Sequence, residues 1–145
     1  MTHNLRVVAD TNVLISRLLV PKSIPAQAVS HAIRHGRLLA SDATLEELAE
    51  VLGRAKFDRY VSLGERQQFM RLLMRIVDKP PITHRFSDCN DPSDNKFLDL
   101  AVSGSAKAIV TGDQDLLNLH PFHEIPIMKP ADYLAWTKQS APKMP

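Results

Sequence analysis

Two aspartates close short apolar runs: Asp10 follows Leu5-Arg6-Val7-Val8-Ala9, and Asp113 follows Lys107-Ala108-Ile109-Val110-Thr111 and Gly112. A third, Asp94, opens a segment whose apolar stripe runs through Phe97, Leu98 and Ala101. A lone aspartate after a strand is as often a helix cap or a solvated loop residue. Two at the same edge of one sheet are harder to dismiss. Acids so placed can hold a cation, or can take a phosphoryl group themselves as phosphoaspartate proteins do. On a helix, offsets of four and seven residues bring Leu98 and Ala101 beneath Asp94, so its carboxylate is expected to overhang the sheet. Asp99 falls on the opposite side and is expected to be a solvated charge, with Asp88 and Asp91 in the preceding loop.

The elements that must position these acids follow from periodicity. Strands are expected at residues 5–9, 37–41, 82–86, 107–111 and 124–128, the first and fourth β-branched and continuous. Helices are expected at 13–20, 26–35, 42–56, 64–78, 94–105 and 130–136. Pro21 and Pro80-Pro81 act as stops, Gly36 as a C′ glycine, and Pro130 as an N-terminal starter. Strands alternating with helices predict a mainly parallel sheet covered on both faces, which binds ligands at the carboxyl ends of its strands. Residues 1–138 read as a single domain, and the stretch from Gln139 to Pro145 reads as a loose tail. The clearest amphipathic helix, beginning at Asp42, carries Leu45, Leu48, Ala49 and Leu52 on one face. Glu46 and Glu47 both flank that stripe, and helical geometry does not choose between them. Thr44 and Glu47 also have the spacing of a capping box.

Four segments, in this order, resemble the PIN-domain family over nearly the whole chain. They are Val-Val-Ala-Asp10-Thr11-Asn12-Val13-Leu14; Ser41 with Glu47-Leu48 and Val51-Leu52; Asp91-Pro-Ser-Asp94-Asn95-Lys96-Phe97-Leu98; and Ile109-Val110-Thr111-Gly112-Asp113-x-Asp115-Leu116-Leu117. The match is most similar to the toxin components of prokaryotic toxin–antitoxin pairs. The resemblance implies an α/β/α fold around a five-stranded parallel sheet of order 3-2-1-4-5. It carries the family's four acids onto Asp10, Glu47, Asp94 and Asp113, and so selects Glu47 over Glu46. Asn12, Thr111 and Asp115 are then groups that orient the acids.

Carboxylates gathered within a few ångströms repel one another, and burial penalises their charged forms. A fold keeps such a cluster for a cation, and oxygen-only ligands select hard ions, so Mg²⁺ or Mn²⁺ is expected, as one or two ions. The resemblance then implies hydrolysis of RNA phosphodiesters to 5′-phosphate and 3′-hydroxyl ends, with Arg17, Lys22 and Lys96 as candidate phosphate contacts. It also implies a small antitoxin protein as partner, and dimers are common among relatives.

The composition sets bounds on this reading. With 145 residues, 44% hydrophobic and 23% charged, the chain can bury a real core, and the net charge of +2 is only weakly basic. No apolar run reaches the roughly 20 residues of a membrane span. The N-terminus runs straight into a strand-like segment with no signal peptide, so the cytoplasm is the expected compartment. The single cysteine, Cys89, excludes an internal disulfide and a cysteine-based zinc site. His31 and His35 have metal-clamp spacing but lack the glutamate of a zinc protease motif; His120 and His123 lie in a loop. A phosphatase of the haloacid-dehalogenase type would want an aspartate where Asn12 stands, and a receiver domain would want a paired acid before Asp10. A non-catalytic RNA- or protein-binding module is the remaining alternative, against which the complete set of four acids argues.

Overall fold

The structure is a computed structural model that describes residues 5–140. In chain order its elements are β1 (Arg6–Ala9), α1 (Thr11–Leu19), α2 (Ile24–His35), β2 (Arg37–Leu38), α3 (Asp42–Leu52), α4 (Leu63–Ile76), α5 (Asn95–Ser103), β3 (Ala108–Val110), α6 (Gln114–Leu117), β4 (Ile127–Met128) and α7 (Pro130–Ser140). The strands form one parallel sheet of order β2-β1-β3-β4.

Alternation along the strands divides the core in two. Val7, Ala9, Ala108 and Val110 face a cluster built by Val13, Ile15, Ala28, Val29, Leu48, Leu73 and Tyr133 from α1, α2, α3, α4 and α7. Val8 and Ile109 face the other way, onto Phe97, Leu98, Leu100 and Ala101 of α5 and Leu116 of α6. The result is a three-layer α/β/α arrangement with the strand ends gathered at one edge. Phe97 and Leu98 are almost wholly buried, and burying each such side chain contributes about 1.5–3 kcal/mol. That packing fixes α5, and with it Asp94 at its start.

The sheet has four strands, not the five expected. Between α4 and α5, the bridge to the sheet among the described residues is a single parallel one between Leu39 and Asp78. Pro80 and Pro81 then supply no N–H for a ladder. The backbone N–H groups of Thr83, His84, Phe86 and Cys89 turn to α5 instead. Ser103 Oγ accepts from Thr83 and His84 at 3.0 Å each, Asp99 Oδ1 accepts from Phe86 at 2.7 Å, and Asn95 Oδ1 accepts from Cys89 at 2.9 Å. The outer face of α5, at i, i+4 and i+8, does the work of a neighbouring strand. Asp99, expected to be a solvated charge, is one rung of this ladder.

Two further expectations change in detail. Gly36 closes α2 with an extended φ of −158°, not in the left-handed region. Its missing side chain serves a close approach, since a Cβ there would stand 2.2 Å from Leu5 O. Helix α7 continues through Ser140, beyond the expected start of the loose tail, and residues 141–145 lie outside those described.

The end of α3, which carries Glu47, is held by Arg66 of α4, 4% exposed. Its guanidinium donates to Leu52 O at 2.8 Å and to Asp58 Oδ1 at 2.7 Å. Removing the charge strands the Leu52 carbonyl, so Arg66→Met is expected to lower stability by about 2–3 kcal/mol. Urea unfolding measures this; an unchanged midpoint would show that the clamp contributes nothing.

Candidate active site

Asp10 caps α1 at the point where β1 ends. Its backbone N–H donates to Val110 O at 3.1 Å, which extends the β1–β3 pairing by one residue. One carboxylate oxygen, Oδ1, accepts from Val13 N at 2.9 Å, and the other, Oδ2, accepts from the Thr111 hydroxyl. The same hydroxyl oxygen accepts from Asp113 N at 2.9 Å. Thr111 thus ties the two strand-end aspartates together, and it is wholly buried. Asp113 in turn caps α6, its Oδ1 accepting from Asp115 N at 2.9 Å.

Two helices complete the cleft. From α3, Glu47 accepts the Thr11 hydroxyl on Oε2 and Lys96 Nζ, at 2.6 Å, on Oε1. The capping box at the start of α3 is formed by Ser41 and Thr44, which leaves Glu47 free for these contacts. From the turn before α5 comes Asp94, 9% exposed. Asp10, Thr11, Asn12, Glu47, Asp94, Phe97, Gly112 and Asp113 together line a cleft of about 340 Å³. Glu46 is exposed on a neighbouring groove with Lys79 and Arg85, so the fold brings Glu47, not Glu46, to the aspartates. Lys96 borders both spaces.

The other residues singled out in the sequence lie as follows. Asn12 lines the cleft and is exposed. Asp115 is half-buried at the start of α6. Arg17 and Lys22 are exposed and do not line the cleft. His31 Nδ1 lies 2.9 Å from the Tyr133 hydroxyl between α2 and α7, and His120 Nδ1 accepts from Ile127 N, so both bond within the fold. Two residues of this region were passed over in the sequence. Thr11 holds Glu47, and only its place beside Asp10 could have marked it. Asp91 sits close to Asp94 and Asp115, and its spacing of three from Asp94 was the available signal.

The electrostatics are those of crowded, buried acids. Burial raises the pKa of Asp10; hydrogen bonds from Thr111 and Val13 oppose this, and the charges of Asp113 and Glu47 add to it. Asp94 is pushed up to about 7, first by burial, then by Asp113, Asp91 and Glu47. Its Oδ2 is buried without a hydrogen-bond partner. A buried carboxylate oxygen lacking a donor is costly, and an all-oxygen set of this kind fits a hard divalent cation. Asp10, Glu47, Asp94 and Asp113 are the residues that could hold it.

These shifts set a pH dependence. A carboxyl whose pKa is higher folded than unfolded contributes stability below the unfolded value, and that stability is lost as pH rises through the folded value. Metal-free protein is therefore expected to lose stability as pH rises from roughly 4 through 7, where Asp94 gives up its proton. Asp94→Asn should flatten the slope. Denaturant melts in EDTA across that range decide it, and parallel pH profiles for the two proteins would contradict the assignment.

The comparisons with known proteins agree with this architecture. Residues 6–115 match the PIN domain. An uncharacterized protein of Methanocaldococcus jannaschii is 31% identical over 119 residues, spanning 79% of this chain and 75% of that protein. The crystal structure of PAE2754 from Pyrobaculum aerophilum aligns with a TM-score of 0.60 at 14% identity, covering 94% of this chain and 92% of its own. VapBC2 from Rickettsia felis, solved bound to a DNA fragment from their promoter, aligns with a TM-score of 0.56 at 9% identity, covering 84% of this chain and 96% of that one. At such identities the two structures speak for the fold alone. The domain match, running from the first residue of β1 into α6, makes this chain a member of the PIN-domain family, whose members are nucleases.

Proposed function

We propose that the protein is a metal-dependent endoribonuclease acting in the cytoplasm, and that it is the toxin of a toxin–antitoxin pair. The observation that carries the nuclease reading is the convergence of four acids from four elements on one cleft, with a buried Asp94 oxygen left unpartnered.

Asp10, Asp94 and Asp113, with Glu47 beside them, would hold Mg²⁺ or Mn²⁺. Bound there, the cation would supply Lewis-acid chemistry, activating water and offsetting the negative charge of a phosphodiester under attack. The chain's own groups supply the order. Val13 N and Thr111 keep the Asp10 carboxylate from turning, and the buried Phe97 beneath the cleft excludes water on that side. Glu47 holds Lys96 at the rim, where its ammonium meets an incoming backbone phosphate. Arg17 and Lys22, exposed along and just after α1, are the proposed contacts further along the strand. Hydrolysis would leave 5′-phosphate and 3′-hydroxyl ends. A phosphoaspartate role for Asp10 is disfavoured because Asn12 stands where a phosphatase of the haloacid-dehalogenase type carries its second aspartate.

Each of Asp10→Asn, Asp94→Asn and Asp113→Asn is expected to lower Mn²⁺-dependent cleavage of single-stranded RNA by more than about a hundredfold. Full activity of Asp10→Asn, purified free of contaminating nuclease, would end the proposal.

The toxin role draws on the resemblance in sequence and on the likeness in fold to VapBC2. An uncontrolled cytoplasmic ribonuclease is dangerous, so a small antitoxin is proposed to cover the acidic cleft. Expression of the chain alone should arrest growth, and Asp10→Asn should not. Normal growth of cells expressing a chain that cleaves RNA in vitro would count against this role.

A further inference from the structure

Away from the acidic cleft, the fold assembles an aromatic cluster from two segments that are remote in sequence. The Phe86 ring meets Phe122 edge-to-face, with centroids 4.9 Å apart at 86°. His123 packs against both, 4.6 Å from Phe122 and 5.0 Å from Phe86. The His84 ring lies almost parallel to Phe86, at 7° and 6.4 Å between centroids. Exposure grows outward through the cluster: Phe122 is buried, Phe86 half-buried, and His84 and His123 are exposed. Apolar packing accounts for the two phenylalanines. It does not account for two imidazoles held in the open beside them.

The exposed rings are fixed in place. Ser103 Oγ accepts the backbone N–H of His84 at 3.0 Å, and Nδ1 of the His84 ring lies 3.0 Å from the Thr83 hydroxyl. Phe86 N is anchored on Asp99 Oδ1. His123 sits in a tight turn with a φ of 49°, closed by the bridge between Phe122 and Ile125. Rings ordered in advance lose little freedom when a flat partner stacks on them.

Charge and position point to the partner. Between His84 and Phe86 stands Arg85, whose side chain is 79% exposed and whose contact with Asp99 Oδ2 is a loose 3.9 Å. Arg85 lines the groove that Lys96 joins to the acidic cleft. Two of the three acids in that groove are already engaged, Asp42 by Lys79 at 2.6 Å and Asp99 Oδ1 by Phe86 N. Helix α5 connects the two places. Asp94 precedes it, and Ser103, which holds His84, lies about 12 Å along the axis from Asn95. Flat rings beside an open guanidinium match single-stranded nucleic acid, whose unpaired bases stack while its phosphates pair with arginine.

We propose that His84, Phe86 and His123 form a stacking platform for an unpaired base of the RNA, with Arg85 on an adjoining phosphate. The platform lies outside the four acids and holds the strand without touching the bond that is cut. It rests on the ribonuclease reading for the identity of its ligand. Stacking needs only the flat face of a base, so the platform favours single strands over duplexes and selects no particular base.

Fluorescence anisotropy of a labelled single-stranded RNA of about 12 nucleotides, titrated with the full chain in EDTA so that nothing is cut, tests this. His84→Ala and Phe86→Leu are each expected to weaken binding about fivefold or more, and His84→Phe, which keeps a flat ring, to restore it. His84 is exposed, and leucine keeps the apolar contact with Phe122, so both variants should fold. Duplex RNA of the same sequence should bind the wild type and His84→Ala alike, because its bases are already stacked on one another. With Mn²⁺ present, His84→Ala should raise KM for the single strand and leave kcat unchanged. Unchanged binding of the single strand in both variants overturns the platform, and so does an equal loss on duplex RNA. If Asp10-dependent cleavage persists beside such a result, the nuclease reading stands without the platform. Ring-dependent binding with no Asp10-dependent cleavage would support the platform and sink that reading. A wild type that binds no single-stranded RNA overturns the platform.

Discussion

Parallel pairing of β1 with β3 is the constraint from which the site follows. The register sets Ala9 opposite Val110, so the next residue of one strand, Asp10, meets Thr111 of the other. Thr111 is wholly buried, and its hydroxyl reaches Asp10 on one side and Asp113 N on the other. A slip of one residue would turn Thr111 to the opposite face and separate the two aspartates.

The second requirement is a rigid platform for Asp94, and α5 supplies it by using both of its faces. Phe97, Leu98, Leu100 and Ala101 seal one face onto the sheet. Asn95, Asp99 and Ser103 on the other collect the backbone N–H groups of the preceding segment. That segment ends at Asp91, one turn before the helix. The polar ladder therefore also sets where Asp91 stands relative to Asp94. A strand in its place would have led the chain along the sheet edge instead.

Crowding acids in this way works against folding, and the fold offsets the cost locally. Asp10 gains two hydrogen bonds and Glu47 gains Thr11 and Lys96. Asp94 gains nothing comparable, and its pKa is the one driven up to about 7. The imbalance locates the point where positive charge is missing.

The order of the elements, the parallel sheet and the positions of Asp10, Asp94 and Asp113 at strand and helix ends were legible in the residues. Apolar periodicity reports which face of an element is buried, and strand-end acids stand out against it. The missing fifth strand was not legible, because residues 82–86 carry a strand-like pattern whose hydrogen bonds go to side chains of a helix not yet formed in the sequence. Asp99 was misjudged for the same reason: its partner, Phe86 N, lies thirteen residues away. The choice between Glu46 and Glu47 could not be read from α3 alone, since both flank its apolar stripe. What the sequence determined by itself was which acids stand at the ends of elements, a matter of local periodicity. Only the tertiary structure decided which of them meet, because Thr11 with Glu47, Thr111 with Asp10, and Asp91 with Asp94 and Asp115 are brought together by sheet register and by the packing of α5, which no local pattern encodes.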